Sequence, residues 1–171
     1  MGIEVNKIYF DMDGVLADFD GGVIEFCGFG DVKSRAELTK EQDDLMWEKI
    51  KAVPHFYDRI KPLEDGVGLF FKLYELYGDK CELLTGIPKP KRGIVSAPED
   101  KINWAHRVLS PEIKVIPVYR ENKKDYCSGP DCILIDDMKS NIDSWSEYGG
   151  TGILYTDAAS ASEELKRLGI L

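Results

Sequence analysis

Five brief apolar runs punctuate the chain: Lys7–Phe10, Cys81–Leu84, Lys114–Val118, Cys132–Ile135 and Gly152–Tyr155. Each is bounded by turn or polar residues, as strands are in a parallel sheet covered on both faces. Helical patterns separate them. Val67–Tyr77 sets Leu69, Leu73 and Leu76 on one face, with Phe70, Tyr74 and Tyr77 beside them. Pro98–Leu109 repeats Ile102, Ala105, Val108 and Leu109 at helical spacing, behind a proline suited to a helix start. Ser140–Tyr148 and Ser160–Leu168 complete the set, with Gly149 and Gly169 placed as C-terminal stops. Strand alternating with helix predicts βαβ units with right-handed crossovers. The fold class is therefore α/β, a Rossmann-like three-layer sandwich around a five-stranded parallel sheet.

The rhythm breaks once. About seventy residues lie between the first run and the second, where a crossover needs only a few tens. Within them, Asp18–Pro62 has its own helical signals: Gly22–Cys27, then Ala36–Lys51 opened by Ser34, with Pro54 and Pro62 at the exit. Residues 18–62 are expected to form a small helical cap inserted after the first strand. Residues 1–17 and 63–171 would then make the α/β core.

Charge narrows the choice of partners. The 171 residues carry 22 Lys+Arg against 31 Asp+Glu, a net charge of −9. Such a field repels nucleic-acid polymers and anionic membranes, but not a small phosphate ester held beside a cation. An acidic cluster begins by Asp11, so no signal peptide is expected, and no apolar run approaches a membrane helix in length. Cys27, Cys81, Cys127 and Cys132 form no CxxC pair and read as reduced thiols. A cytoplasmic location is expected.

Ligands of parallel α/β sheets bind beyond the carboxyl ends of the strands, so the residues after each run are the informative ones. Asp11, Met12, Asp13 and Gly14 follow the first, Thr85 and Gly86 the second, and Asp136 and Asp137 the fourth. Four carboxylates at one edge need a cation to neutralise them. An all-oxygen donor set suits Mg²⁺ and not zinc. Asp11 and Asp13, two residues apart, leave an extended chain on the same side. One could attack a phosphorus while the other reaches the leaving oxygen, and Gly14 frees the backbone for a sharp exit.

In combination, DMDGVLADF at Asp11–Phe19, LLTG at Leu83–Gly86, a downstream lysine and ILIDD at Ile133–Asp137 resemble the four motifs of the haloacid dehalogenase superfamily of phosphatases. Within it the chain looks most like the 5'(3')-deoxyribonucleotidases of the cytosolic type. DMDGVLADFDGG at Asp11–Gly22, WEKIKAVPHFYDRIKPLEDG at Trp47–Gly66, KINW at Lys101–Trp104 and ILIDD carry that likeness.

The resemblance implies hydrolysis of a phosphomonoester through an aspartyl-phosphate. Asp11 would be the nucleophile and Asp13 the acid and then the base. Mg²⁺ would be held by Asp11, the Asp13 carbonyl and one carboxylate of the Asp136–Asp137 pair. Thr85 and the Gly86 amide would bind phosphate, although Gly86 stands where the deoxyribonucleotidases often carry a serine. The motif lysine falls on Lys123 or Lys124; the resemblance favours Lys124, with Lys101 and Lys139 read as solvated or structural. Phe19, Trp47 and Phe56 would line a nucleobase slot, making the substrate a deoxyribonucleoside 5'(3')-monophosphate. A sugar phosphate or a nucleic-acid 3' end is the alternative, and a non-catalytic phosphate-binding module a more distant one. Assembly as a homodimer is left open. His55, His106, Trp104 and Trp145 read as structural.

Overall fold

The computed structural model describes residues 2–30 and 35–171. Its sheet has five strands, all parallel: β1 (Lys7–Phe10), β2 (Cys81–Gly86), β3 (Val115–Val118), β4 (Cys132–Asp136) and β5 (Thr151–Leu154). Their spatial order is β3-β2-β1-β4-β5. From β1 the chain steps outward through β2 to β3, then returns to the other side of β1 for β4 and β5. The reversal makes a crevice between the C-terminal ends of β1 and β4, where α/β sheets bind ligands.

Alternation along the strands sorts the core into two layers. Ile8, Phe10, Leu83, Ile133 and Ile135 join one apolar cluster, while Tyr9, Leu84, Cys132 and Leu134 join another. Against the first face pack α4 (Glu64–Tyr77), α5 (Ala97–Val108) and α7 (Ala158–Arg167), through Leu69, Phe70, Leu73, Trp104, Ala105 and Leu165. Against the second packs α6 (Lys139–Glu147), through Ile142 and Trp145. Both core tryptophans donate buried hydrogen bonds, Trp104 to the Ile60 carbonyl at 2.7 Å and Trp145 to the Cys132 carbonyl at 3.1 Å. Gly149 and Gly169 stand in the left-handed region after α6 and α7, with φ of 89° and 72°, as helix stops do. All four cysteines are free, and no helix among the described residues is long and apolar enough to cross a membrane.

Between β1 and α4 lie, among the described residues, three further helices: α1 (Phe19–Cys27), α2 (Lys40–Lys51) and α3 (Phe56–Arg59). The ends of this segment meet. Asp18 N–H donates to the Lys61 carbonyl at 2.9 Å and Leu63 N–H to the Leu16 carbonyl at 2.8 Å. The helix expected over 36–51 instead starts at Lys40, after a 3-10 turn at Arg35–Glu37. Thr39 accepts from Gln42 N–H while the Gln42 side chain accepts from Thr39 N–H, a reciprocal cap that fixes the start. Ser34, the expected opener, lies outside the described residues. Phe19, Val23, Met46, Ile50, Phe56 and Ile60 of this segment bury into the same cluster as β1 and α4, so its apolar faces continue the main core.

Candidate active site

The loop leaving β1 is wound tightly. The Met12 carbonyl accepts from Leu16 N–H at 2.8 Å and Ala17 N–H at 2.9 Å, and Gly14 N–H donates to the Ala17 carbonyl at 2.9 Å. Gly14 has φ of 81°, a conformation glycine adopts without strain. A Cβ there would fall 2.1 Å from Asp137 Oδ2, so the absence of a side chain is what lets the β4 loop approach the β1 loop. Across the crevice, oxygens of Asp11, Asp136 and Asp137 lie within 4.8 Å of one another.

Two buried lysines divide the charge. Lys123 Nζ donates to Asp11 Oδ1 at 2.8 Å and Asp136 Oδ2 at 2.7 Å. Lys101, 0% exposed, donates to Asp13 Oδ2 at 2.8 Å, Thr85 Oγ1 at 2.9 Å and the Gly86 carbonyl at 2.7 Å. Its ammonium also lies 4.5 Å from the centre of the Tyr57 ring, a cation–π distance.

The expectation for Lys124 is corrected here. The segment Arg120–Tyr126 is a 3-10 helix with three residues per turn, so Arg120 and Lys123 share a face. Both line the crevice, whereas Lys124 sits over the Tyr148 ring at 5.1 Å. Lys101, read from sequence as solvated or structural, reaches the carboxylates instead. Its signal was its phase on α5: the inward face is Ala97, Lys101, Trp104 and Ala105, one residue out of step with the face expected from Ile102 and Val108.

The two carboxylates after β4 differ in what they already bond. Asp136 accepts from Lys123, from Met138 N–H at 2.8 Å and from Asn141 Nδ2 at 3.0 Å. Asp137 Oδ1, like Asp13 Oδ1, is buried without any partner. Burial, followed by the charges of Asp11 and Asp136, pushes the Asp137 carboxyl up to about 8. Burial also raises Asp136, reinforced by Asp11. For Asp11 burial works in the same direction, yet Lys123 and then Lys101 outweigh it and hold the group below its ordinary value. An orphaned oxygen on Asp137, within reach of Asp11 and Asp136, fits a cation site. With oxygen donors throughout, the residues present suit Mg²⁺.

Above these groups opens a cleft of about 580 Å³. Trp47 and Tyr57 line it, together with Asp11, Asp13, Gly86 and Lys123. Phe19 and Phe56 do not, which corrects their expected place in a base slot. They are 2% and 1% exposed and pack edge-to-face on each other, with centroids 5.8 Å apart. Apolar rings in so short a segment are consumed by its core. Thr85 is buried at the floor, where its hydroxyl accepts from Lys101. His55, read from sequence as structural, pairs through Nδ1 with buried Asp100 at 2.8 Å.

No protein-family model matches the chain, and no curated protein sequence matches it. Solved structures do. A haloacid dehalogenase-like hydrolase from Streptococcus pneumoniae is 14% identical with a TM-score of 0.60, over 94% of this chain and 90% of that one. A hydrolase of the same superfamily from Ehrlichia chaffeensis is 12% identical with a TM-score of 0.57, over 98% and 99%. A third, from Bacteroides thetaiotaomicron and solved as a magnesium complex, is 16% identical with a TM-score of 0.50, over 96% and 99%. These likenesses show the fold: the chain has the α/β architecture of haloacid dehalogenase-like hydrolases.

Proposed function

We propose that the chain is a Mg²⁺-dependent phosphomonoester hydrolase that works through an aspartyl-phosphate on Asp11. The observation that carries this reading is the pairing of Asp11 with Lys123 and of Asp13 with Lys101 beside two orphaned carboxylate oxygens. Mg²⁺ would be held by Asp11, Asp137 and the Asp13 carbonyl. Asp137 is preferred to Asp136 because Asp136 already accepts from Lys123, Met138 N–H and Asn141, while Asp137 Oδ1 has no partner. Bound there, the ion would supply charge that lets a phosphate dianion approach a carboxylate.

The chain's own groups then have separable tasks. A carboxylate oxygen of Asp11 attacks phosphorus as the ester P–O bond breaks. Asp13, acting as the general acid, gives a proton to the departing alkoxide. It next takes a proton from water, whose oxygen attacks phosphorus; the acyl-phosphate P–O bond breaks, freeing phosphate and Asp11. Lys101 fixes Asp13 through Oδ2 and leaves Oδ1 for the transfer. Lys123 holds Asp11 in its ionised, nucleophilic form, and Thr85 and the Gly86 amide would bind phosphate.

Residues 18–62 would act as the cap, since Arg35, Asp43, Trp47 and Tyr57 of that segment line the cleft. A small ester, rather than a polymer or a membrane, is the partner in keeping with the charge of −9, and a cytoplasmic setting suits free thiols. For a deoxyribonucleoside monophosphate, Trp47 is the ring placed to stack on a base. Another small ester is the second reading, favoured by the cations on the cleft's outer wall.

Removing divalent metal tests the reaction. EDTA should abolish hydrolysis of p-nitrophenyl phosphate and added Mg²⁺ should restore it; full activity in metal-free buffer would overturn the proposal. Gly14→Ala tests the architecture around the metal, because its methyl group occupies the place of Asp137 Oδ2. It should weaken Mg²⁺ activation about 10–100-fold, read as a shift in the Mg²⁺ concentration for half-maximal rate. An unshifted titration would remove Asp137 from the metal site.

A further inference from the structure

Beyond the paired carboxylates and lysines of the floor, the charged residues lining the cleft are Arg35, Lys89, Lys91, Arg92 and Arg120, against Asp43 and Glu121. In a chain of net charge −9, this wall is opposite in sign to the molecule around it. Carboxylates account for only part of the excess. Arg92 bonds Asp43 at 3.0 Å and Asp44 at 2.7 Å, and Lys89 pairs with Glu121.

Lys91 and Arg120 have no carboxylate partner within ion-pair distance among the described residues. The contact of the Arg120 guanidinium is the Met138 sulfur at 3.8 Å. The Arg35 guanidinium lies over the Phe19 ring, 4.3 Å from its centre. The three cations come from separate segments: Arg35 from the 3-10 turn before α2, Lys91 from the turn after β2, and Arg120 from the turn after β3. Converging like charges from independent segments repel unless an anion lies between them.

On the phosphatase reading above, the transferring phosphoryl group would sit at the floor beside Asp11, Gly86 and Lys123, so it does not fill that role. We infer that, on that same reading, the leaving group bears a second anionic group, a phosphate or a carboxylate. Lys91 and Arg120 hold it at the outer wall, with Arg35 opposite. Trp47, with Arg92 5.7 Å from its ring centre, covers the less polar part between the two anions.

Matched pairs of substrates test this. Glycerol 1-phosphate is compared with 3-phosphoglycerate, and deoxyadenosine 5'-monophosphate with deoxyadenosine 3',5'-bisphosphate, so that the two pairs separate a carboxylate from a phosphate. At least one pair should show a preference on the order of tenfold in kcat/KM for the member with the second anion. The preference should shrink about tenfold in the double variant Lys91→Gln/Arg120→Gln and fade as salt rises. Equal kcat/KM within both pairs, or a preference that survives the double substitution, would overturn the inference.

Calorimetric binding of the same compounds to the Asp11→Asn chain with Mg²⁺ separates the two proposals. Binding that favours the second anion and depends on Lys91 and Arg120, without turnover of any ester by the native chain, would refute the phosphatase and keep the anion subsite. Hydrolysis of p-nitrophenyl phosphate, with no discrimination in either rate or binding, would refute the subsite alone. Lys91 and Arg120 are exposed, so the double variant should keep its melting temperature.

Discussion

Asp11→Asn should remove phosphatase turnover by a factor on the order of 10⁴ or more, as loss of a covalent nucleophile does. The amide occupies the same space and can still accept from Lys123, which retains Asp136 as its ionic partner. The chain should therefore stay folded, and circular dichroism and melting temperature serve as controls. Loss of rate with the fold intact places the defect at phosphorus. A residual rate within tenfold of the native chain would mean that water, not Asp11, attacks the ester.

The second large effect separates two neighbouring lysines. Lys123→Gln removes a buried cation, 3% exposed, from between Asp11 and Asp136. Breaking such a pair leaves buried carboxylates unmatched and typically costs about 3–5 kcal/mol of stability. Loss of a preorganised positive group at a reacting phosphate adds about 10²–10³ in rate. Both the melting temperature and kcat should fall. Lys124→Gln, which loses only the contact over Tyr148, should stay within about 0.5 kcal/mol of the native chain. If Lys124→Gln were the damaging change, the 3-10 register of Arg120–Tyr126 would be wrong.

That contrast shows where sequence stops being informative. Lys7–Phe10 was legible as a strand, and the other four matched within a residue or two at their ends, because short buried runs between polar turns have few other uses. Asp11, Asp13, Thr85 and the Asp136–Asp137 pair could be placed at one edge from topology alone, since parallel strands deliver their C-terminal ends together. Two adjacent lysines are different. Whether the path is α-helical, extended or 3-10 decides which of the two faces Asp11, and a short polar stretch does not declare which path it takes.

Lys101 was hidden by phase. A lysine in an amphipathic pattern reads as solvated, and only the packing of Ala97, Trp104 and Ala105 reveals that its stem runs through the core to Asp13. The rings failed for a related reason. Phe19, Trp47, Phe56 and Tyr57 are equivalent as sequence, but the segment that bears them needs a core before it can carry a slot. Phe19 and Phe56 supply that core, while Trp47 and Tyr57 reach the cleft. The choice between Asp136 and Asp137 was likewise unreadable, since it depends on Met138 N–H and Asn141 saturating one carboxylate and not the other.

Covalent labelling tests the aspartyl-phosphate most directly. The chain is mixed with Mg²⁺ and a phosphate ester it turns over, quenched in acid within the first turnovers, and mapped by peptide mass spectrometry. A single phosphoryl group is expected on the peptide containing Asp11, removed by hydroxylamine as acyl-phosphates are, and absent from Asp11→Asn. A chain that hydrolyses the ester while carrying no phosphoryl group, or carrying it on any residue other than Asp11, would contradict the account.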